Sequence, residues 1–178
     1  MYHRQDSPFG VSYAEWTARW WQWFLTSNGR DPSVYYVKGR MVSPNDKQIH
    51  TTYNVIDHDE AILIPIDNWI SFGFNEEKMR QVAKERMDRV IKLQLVVDSK
   101  SVVITERIVS PAFDIEIKSV PRLEITGMKP GKYKALSDGY WLFLEPNELE
   151  KGSHKIETLG SCATGLIQLE IHHSLEIK

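Results

Sequence analysis

Apolar residues recur with the spacing of an α-helix in the segment SYAEWTARWWQWF, residues 12–24. Intervals of three and four residues place its large apolar side chains on one stripe, formed by Tyr13, Trp16, Trp20, Trp23 and Phe24. The S-x-x-E sequence of Ser12 and Glu15 is typical of a helix start, and Asn28-Gly29 is typical of a helix end. The pattern therefore predicts a helix over about 13–27.

A second helical pattern lies in the segment NEEKMRQVAKERMDRVI. Its apolar stripe consists of Met79, Val82, Ala83, Met87 and Val90, and the opposite side carries charged residues. Asn75 is a suitable N-cap, because its side chain can accept a hydrogen bond from the first turn. This pattern predicts an amphipathic helix over about 76–90.

Most of the remaining chain shows the two-residue alternation of β-strands. Predicted strands include VYYV (34–37), YNVI (53–56), AILIPIDN (61–68), KLQLVVD, SVVIT, FDIEI, GSHKIET and LIQLEIHHSLEI. The last segment alternates throughout and places Ile167, Leu169, Ile171, His173, Leu175 and Ile177 on one face. Turns are predicted at DHDE (57–60), Ser99-Lys100, Pro130-Gly131 and Asp138-Gly139.

Short alternating strands at close spacing are typical of antiparallel sheets. We therefore predict a mostly β protein with a minority of helix, an antiparallel β-sandwich of jelly-roll-like form with two amphipathic helices. A chain of 178 residues fits one domain. Within it we expect an N-terminal arm at 1–11, the tryptophan-rich helix at 12–28, and the sandwich with helix 76–90 at 34–178.

Charge and cysteine content exclude several classes of protein. The 22 basic and 24 acidic side chains give a net charge of −2, so overall charge provides no argument for binding of nucleic acid, and a local basic patch stays open because net charge does not report its distribution. Cys162 is the single cysteine, so no intramolecular disulfide can form, and a lone thiol favours a reducing compartment. The longest aliphatic run, AILIPI, is too short to span a bilayer, and the first ten residues lack the apolar region of a signal peptide.

Several of these motifs occur together in one known family. The segments YAEWTARWWQWF, ILIPIDN, MRQVAKERMDRVIKLQLVVDSKSV, SPAFDI, PGKYKALSDGYWLFLEP and GSHKI resemble a family of uncharacterised microbial proteins. The family pattern Y-x-E-W-[ST]-x-[RE]-W-W-x-W matches residues 13–23, and its D-G-Y-W strand matches residues 138–141. The resemblance covers most of residues 12–177. It implies a shared fold and, for many members, secretion, but no activity is established for the family.

The tryptophan-rich helix has three interpretations. Its stripe can be a buried face packed on a sheet, because each aromatic side chain buries a large area. Trp21 lies away from the centre of the stripe, so an exposed Trp21 could dock a protein partner or stack on a sugar ring. The helix could also rest on a membrane surface, although its polar face carries little besides Arg19 as a basic residue.

Polar residues beside these aromatics complete the candidate binding set. Glu15 and Arg19 lie four residues apart on the helix, either as a surface ion pair or at the mouth of a site. At Asp138-Gly139 we expect a tight turn, after which Tyr140 and Trp141 face opposite sides of a strand. The candidate partner- or ligand-binding residues are Glu15, Arg19, Trp20, Trp21, Asp138, Tyr140 and Trp141.

Other chemical motifs are weak. The run IDHDE collects acidic residues but matches no calcium loop, and the neighbours His172 and His173 point to opposite faces of a strand. Cys162 in GSCATG lacks the G-x-[SC]-x-G spacing of a nucleophile elbow. We expect no cofactor and no metal.

Three functions remain open at this point. The first is a non-catalytic interaction or assembly module that docks a protein partner, or further copies of itself, through exposed aromatics. The second is a domain that binds a carbohydrate or small ligand by stacking on the same aromatics. The third is a hydrolase in which Glu15 or Asp138 acts as a base and Arg19 as an electrophile.

Overall fold

The computed structural model describes residues 1–40, 47–104, 107–118, 129–162 and 168–178. It contains helices α1 (Tyr13–Thr26) and α2 (Glu76–Met87) and a 3₁₀ turn at Pro8–Gly10. The strands in the described ranges are β1 (Val34–Tyr36), β2 (Lys47–Ile56), β3 (Ala61–Phe72), β4 (Val90–Val97), β5 (Lys100–Val102), β6 (Arg107–Val109), β7 (Phe113–Ile117), β8 (Gly131–Leu144), β9 (Gly152–Cys162) and β10 (Gln168–Ile177). The mostly β fold class with two helices is confirmed.

Both helices begin at the predicted caps. Ser12 Oγ accepts a hydrogen bond from the Glu15 amide at 3.2 Å, and Asn75 Oδ1 accepts one from the Lys78 amide at 2.9 Å. Helix α1 ends at Thr26, and the C-cap residue Ser27 adopts the left-handed conformation (φ 59°) that we expected one residue later, at Asn28-Gly29. Helix α2 stops short of residue 90, because Val90 is already paired in β4.

The strands form two mixed sheets. Sheet 1 has the order β1-β3-β8-β6 with β7 also beside β8, and sheet 2 has the order β2-β10-β9-β4-β5. Most neighbours are antiparallel, but β1 pairs with β3 and β2 pairs with β10 in parallel. The purely antiparallel prediction is therefore wrong for these two pairs. They join strands distant in the chain, and alternation along one strand carries no information about the direction of its partner.

The acidic turn DHDE does not close a hairpin. It leads from β2 in sheet 2 to β3 in sheet 1. Strand β3 is buried on both faces over Ala61–Ile66, whereas β2 has one exposed face. The two segments therefore lie in different surroundings. The turn predicted at 57–60 is present, and it connects the two sheets. The hairpin predicted at Ser99-Lys100 is present between β4 and β5, with Asp98 and Ser99 at positive φ.

The predicted turn at Asp138-Gly139 is also wrong, because β8 runs unbroken through it. Asp138 pairs with Trp69 and Gly139 with Asn68 on β3. A Cβ atom at residue 139 would lie 2.3 Å from Asn68 Cβ and 2.6 Å from Asn68 Cα. Glycine is present here because the two strands approach closely beside a bulge in β3, between Pro65 and Asp67.

Helix α1 covers one face of sheet 1. Its aromatic residues share a hydrophobic cluster with Leu63, Ala135, Trp141 and Phe143 of β3 and β8. The alternate residues Ile62, Ile64, Leu142 and Leu144 share a second cluster with side chains of sheet 2, namely Ile56, Leu95, Ile156, Leu175 and Ile177. Helix α2 packs on Leu136, which lies on that second face of sheet 1.

The stripe predicted on the last strand is present from Ile171 onwards, whereas Leu169, which the alternation also assigns to it, is half-buried. Ile171, His173, Leu175 and Ile177 are buried on one face of β10, and the residues between them are half-buried. Ile167, at the start of the predicted stripe, lies outside the described residues, as do residues 163–165 of GSCATG.

Candidate functional site

The tryptophan-rich helix is a core element. Trp21 exposes only 4% of its surface, and Trp16 and Trp20 are also buried. Trp20 stacks on Phe24 at 4.6 Å and meets Trp21 and Trp141 edge-on at 5.2 and 5.3 Å between ring centroids. The interpretation of an exposed Trp21 is therefore wrong: the apolar surroundings of α1 are wide enough to bury side chains well beyond the stripe.

Glu15 and Arg19 form a surface ion pair. Arg19 Nη2 lies 3.0 Å from Glu15 Oε1, and Arg19 Nη1 lies 3.7 Å from Asp31 Oδ2. The guanidinium group also stacks 4.8 Å above the Trp16 ring. These contacts fix Arg19 along the outer side of α1. An exposed pair of this kind contributes little stability.

Asp138 is a buried structural counterion. It exposes 2% of its surface and accepts hydrogen bonds from Arg107 Nε and Nη2, both at 2.5 Å. Arg107 also donates to Asp88 Oδ1 at 2.6 Å and to the Lys84 carbonyl at 3.0 Å. These acceptors raise the pKa of the Arg107 guanidinium, the hydrogen bond to Asp138 being the largest cause. One arginine thus ties the C-terminal end of α2 to sheet 1.

The remaining candidates lie on both faces of sheet 1. Tyr140 is half-buried on the same face of β8 as Asp138, whereas Trp141 is buried on the α1 face. Asp138 therefore lies on the opposite side of the sheet from Glu15 and Arg19. Of the two carboxylates that the hydrolase hypothesis offers as a base, Glu15 forms an exposed ion pair with Arg19, and Asp138 is too far from Arg19 to act with it.

Asp67 is a half-buried residue with a desolvated carboxyl group, which the sequence interpretation passed over. The bulge in β3 directs it towards sheet 2, where its Oδ2 atom would lie 2.3 Å from a Cβ atom at Gly160. Burial raises the pKa of Asp67 to about 6. Burial and then the charge of Asp67 raise the pKa of the nearby Cys162 thiol, while Arg86 and Arg89 act in the opposite direction. A raised thiol pKa disfavours the thiolate, so Cys162 is a poor nucleophile.

A chain of polar side chains runs along the buried face of sheet 2. Tyr35 donates to Asn54 Oδ1 at 3.4 Å, Asn54 donates to Thr52 Oγ1 at 3.1 Å, and Thr52 Oγ1 lies 2.8 Å from His173 Nδ1. Burial, and secondarily His172, lowers the pKa of the fully buried His173 to about 4. The hydroxyl–imidazole pair is enclosed and weakly basic, and so it is a structural element of the sheet.

The most exposed apolar row of the described strands lies on β2. Ile49 and Tyr53 expose 66% and 69% of their surface, and Val55 is also exposed. Thr51 completes the row, and all four residues point away from the core. Within the described residues, β2 is the terminal strand of sheet 2 and pairs with β10 alone. The sequence interpretation began this strand at residue 53, because the polar residues before Tyr53 concealed the alternation.

No metal centre is present in the described ranges, where no three His, Cys, Asp or Glu side chains are arranged to hold an ion. The acidic turn borders a depression of about 10 Å³, lined by Asp57, His58, Glu60, Ile62, Glu145, Asn147, Glu148, Leu149 and Ile177. This volume holds about one water molecule. Neither described helix has the length and apolar composition needed to cross a membrane.

Comparison with known proteins gives little further guidance. No family model matches the chain, and no curated protein matches it in sequence. One chain of the solved structure "Structure of PbICP-C in complex with falcipain-2" is similar at a TM-score of 0.35 and 7% identity. The match covers 82% of this chain and 99% of the other. A similarity at this TM-score supports no inference about function, which has to be argued from the geometry described above.

Proposed function

We propose that the protein is a non-catalytic β-domain that binds an extended protein segment along strand β2. The observation that carries this proposal is the exposed row of Ile49, Thr51, Tyr53 and Val55 on a terminal strand. A terminal strand has backbone N–H and C=O groups on its open side, and an added strand can hydrogen-bond to them. The apolar row would supply side-chain contacts for the same segment.

The composition of β2 supports this role. Terminal strands are usually protected from pairing by charged residues, proline, bulges or short length. From Ile49 to Ile56 the strand has no Asp, Glu, Lys, Arg or Pro, and its register with β10 is continuous. By contrast, the opposite terminal strand of sheet 2, β5, has three residues. Lys47, the first residue of β2, is the only Asp, Glu, Lys or Arg in this strand. Among the described strands of sheet 2, β2 is thus the edge that is long and carries charge only at its start.

The other two hypotheses lack comparable support. Stacking on a sugar ring requires an exposed aromatic plane, and the tryptophans proposed for this role, Trp20, Trp21 and Trp141, are buried. In the hydrolase hypothesis Arg19 acts with Glu15 or Asp138, but Glu15 is held in an exposed ion pair with Arg19, and Asp138 lies on the opposite face of sheet 1. The open backbone edge of β2 and the exposed apolar row along it instead favour pairing with a protein segment.

Selection from a phage library of linear peptides tests the proposed function. Peptides enriched on the wild-type protein are expected to lose binding to Tyr53→Lys, which places a charge in the exposed row. Phe74→Lys is the matched control, because Phe74 is 96% exposed and lies outside β2. Binding to this control should be unchanged. Failure of the monomeric protein to enrich any peptide, or equal binding to wild type and Tyr53→Lys, would contradict the proposal.

A further inference from the structure

Strand β2 is suited to pair with a second copy of itself. We propose that the extended segment bound by β2 is β2 of another molecule, antiparallel and related by a two-fold axis at Thr51. This inference rests on the proposed function, and it names the partner. It converts two five-stranded copies of sheet 2 into one continuous sheet across the dimer.

The positions of the exposed side chains favour this register. Ile49 and Tyr53, the most exposed apolar residues of β2, lie two residues on either side of Thr51. Antiparallel pairing about Thr51 places Ile49 of each copy opposite Tyr53 of the other. An aromatic residue opposite a β-branched residue is a stabilising cross-strand pair. The symmetric arrangement therefore forms two Ile49–Tyr53 pairs, one on each side of the axis, and no other part of the chain is needed to form them.

The two faces of the strand also match under this symmetry. Residues opposite each other in an antiparallel pair lie on the same face of the sheet, and a shift by one residue reverses the faces. Pairing about Thr51 joins exposed Ile49 with exposed Tyr53, and it joins half-buried His50 with half-buried Thr52. The exposed row remains on the outer face, and the inner row continues the buried face.

The absence of charge close to the axis is a further requirement of self-pairing. The residue on a two-fold axis meets its own copy, so a charged residue at position 51 would face a like charge, and charged residues next to it would lie close to their own copies. No Asp, Glu, Lys or Arg occurs between Ile49 and Ile56. The opposite edge of sheet 2 ends in the three-residue β5, where exposed Lys100 protects against pairing. The two-fold contact therefore uses the β2 edge of both copies and leaves only the protected β5 edges, so assembly stops at a dimer and does not continue into a fibre.

Charge variants of Thr51 test the two-fold axis directly. Thr51 is exposed, so Thr51→Lys and Thr51→Glu leave the core of each copy intact. Sedimentation velocity should show a dimer for wild type and monomers for each variant alone, because like charges then face each other. An equimolar mixture of the two variants should restore a dimer, since Lys then faces Glu. Dimers of unchanged stability in both single variants would overturn the axis.

A cross-linking experiment provides a second measurement. In a Cys162→Ser background, Thr51→Cys should form a covalent dimer on mild oxidation, because the two residues are adjacent across the axis. Ser101→Cys, exposed on β5 at the far edge of sheet 2, is the control and should stay monomeric in gel analysis. Equal cross-linking at both positions would contradict the proposal.

These outcomes separate the inference from the proposed function. One outcome is a wild-type protein that is monomeric at every concentration and still binds selected peptides that Tyr53→Lys fails to bind. That result overturns the pairing of β2 with a second copy and supports β2 as a docking strand for another protein. A monomer that binds no peptide overturns both. If each Thr51 variant alone is as dimeric as wild type, the dimer interface lies elsewhere and the inference is overturned.

Discussion

At the scale of single residues, Asp67 is the most unusual group in the structure. It continues the apolar run AILIPI, and a carboxyl group at such a position is a visible signal in the sequence. The bulge in β3 lets Ile66 and Asp67 both face sheet 2, so the carboxyl group is buried against Gly160. Its pKa rises from 3.8 to about 6 because burial penalises the charged form.

Asp67→Asn is expected to stabilise the protein above pH 7. A folded-state pKa above the unfolded value means that the contribution to stability is complete below about pH 4, and is lost as the pH rises through 6. The shift corresponds to roughly 2–3 kcal/mol at the alkaline end. Urea unfolding at pH 5 and pH 8 measures the effect. A variant that is no more stable than wild type at pH 8 would show that the charged carboxyl group is well solvated.

At the scale of elements, the helices and the β4–β5 hairpin were predictable, whereas the pairing of strands distant in the chain was not. The caps Ser12 and Asn75 and the 3.6-residue period are local, so both helix starts are correct. The pairing of β2 with β10 depends on strands far apart in the chain, which no local pattern reports. The interpretation that Trp21 is exposed was wrong because a helical wheel shows the direction of a side chain but not how widely the rest of the fold covers the helix.

The candidate site was less predictable than the fold. Aromatic residues drew the sequence interpretation to α1, but aromatic side chains fill cores as readily as surfaces. The row on β2 was hidden by Thr51 and Thr52, and its exposure follows from the terminal position of the strand. Arg107, the partner of Asp138, lies 31 residues away in the chain, so the sequence gives no sign that this carboxylate is paired.

The close approach of β8 to its neighbour β3 leads to a prediction at Gly139. Gly139→Ala is expected to destabilise the protein severely, because its Cβ would lie 2.3 Å from Asn68 Cβ and 2.7 Å from the Asp67 carbonyl oxygen. The neighbours are largely backbone atoms of a central strand and cannot move easily. Gly131→Ala is the control, since its nearest contact would be an ordinary 3.5 Å from the Tyr133 ring. Thermal unfolding should give a much lower melting temperature for Gly139→Ala than for Gly131→Ala. Similar melting temperatures would mean that the backbone of β3 shifts to accommodate the new methyl group.

At the scale of the whole molecule, two buried titrating groups act in opposite directions. The pKa of His173 is lowered to about 4, so its contribution to stability is present above about 6.5 and is lost as the pH falls. The contribution of Asp67 is lost as the pH rises over nearly the same interval. The two groups therefore oppose each other between about pH 4 and 6.5.

Replacing either group should reveal how the other makes the unfolding free energy depend on pH. His173→Gln, which keeps a polar partner for Thr52, is expected to leave stability falling with rising pH, through Asp67. Asp67→Asn is expected to leave stability falling at acid pH, through His173. Unfolding free energies from pH 4 to 8 measure both profiles. Parallel profiles for the two variants would show that other groups dominate the pH dependence.

The parallel pairing of β2 with β10 has a consequence for how the molecule folds. Thr52 and His173, which meet in this pairing, are 121 residues apart in the chain. Closing so long a loop precedes any gain from the contact, which makes the pairing a slow step. During synthesis β2 leaves the ribosome long before β10 exists, and until then its backbone is open on both sides. The strand proposed here for self-recognition is thus also the one most in need of protection in a newly made chain.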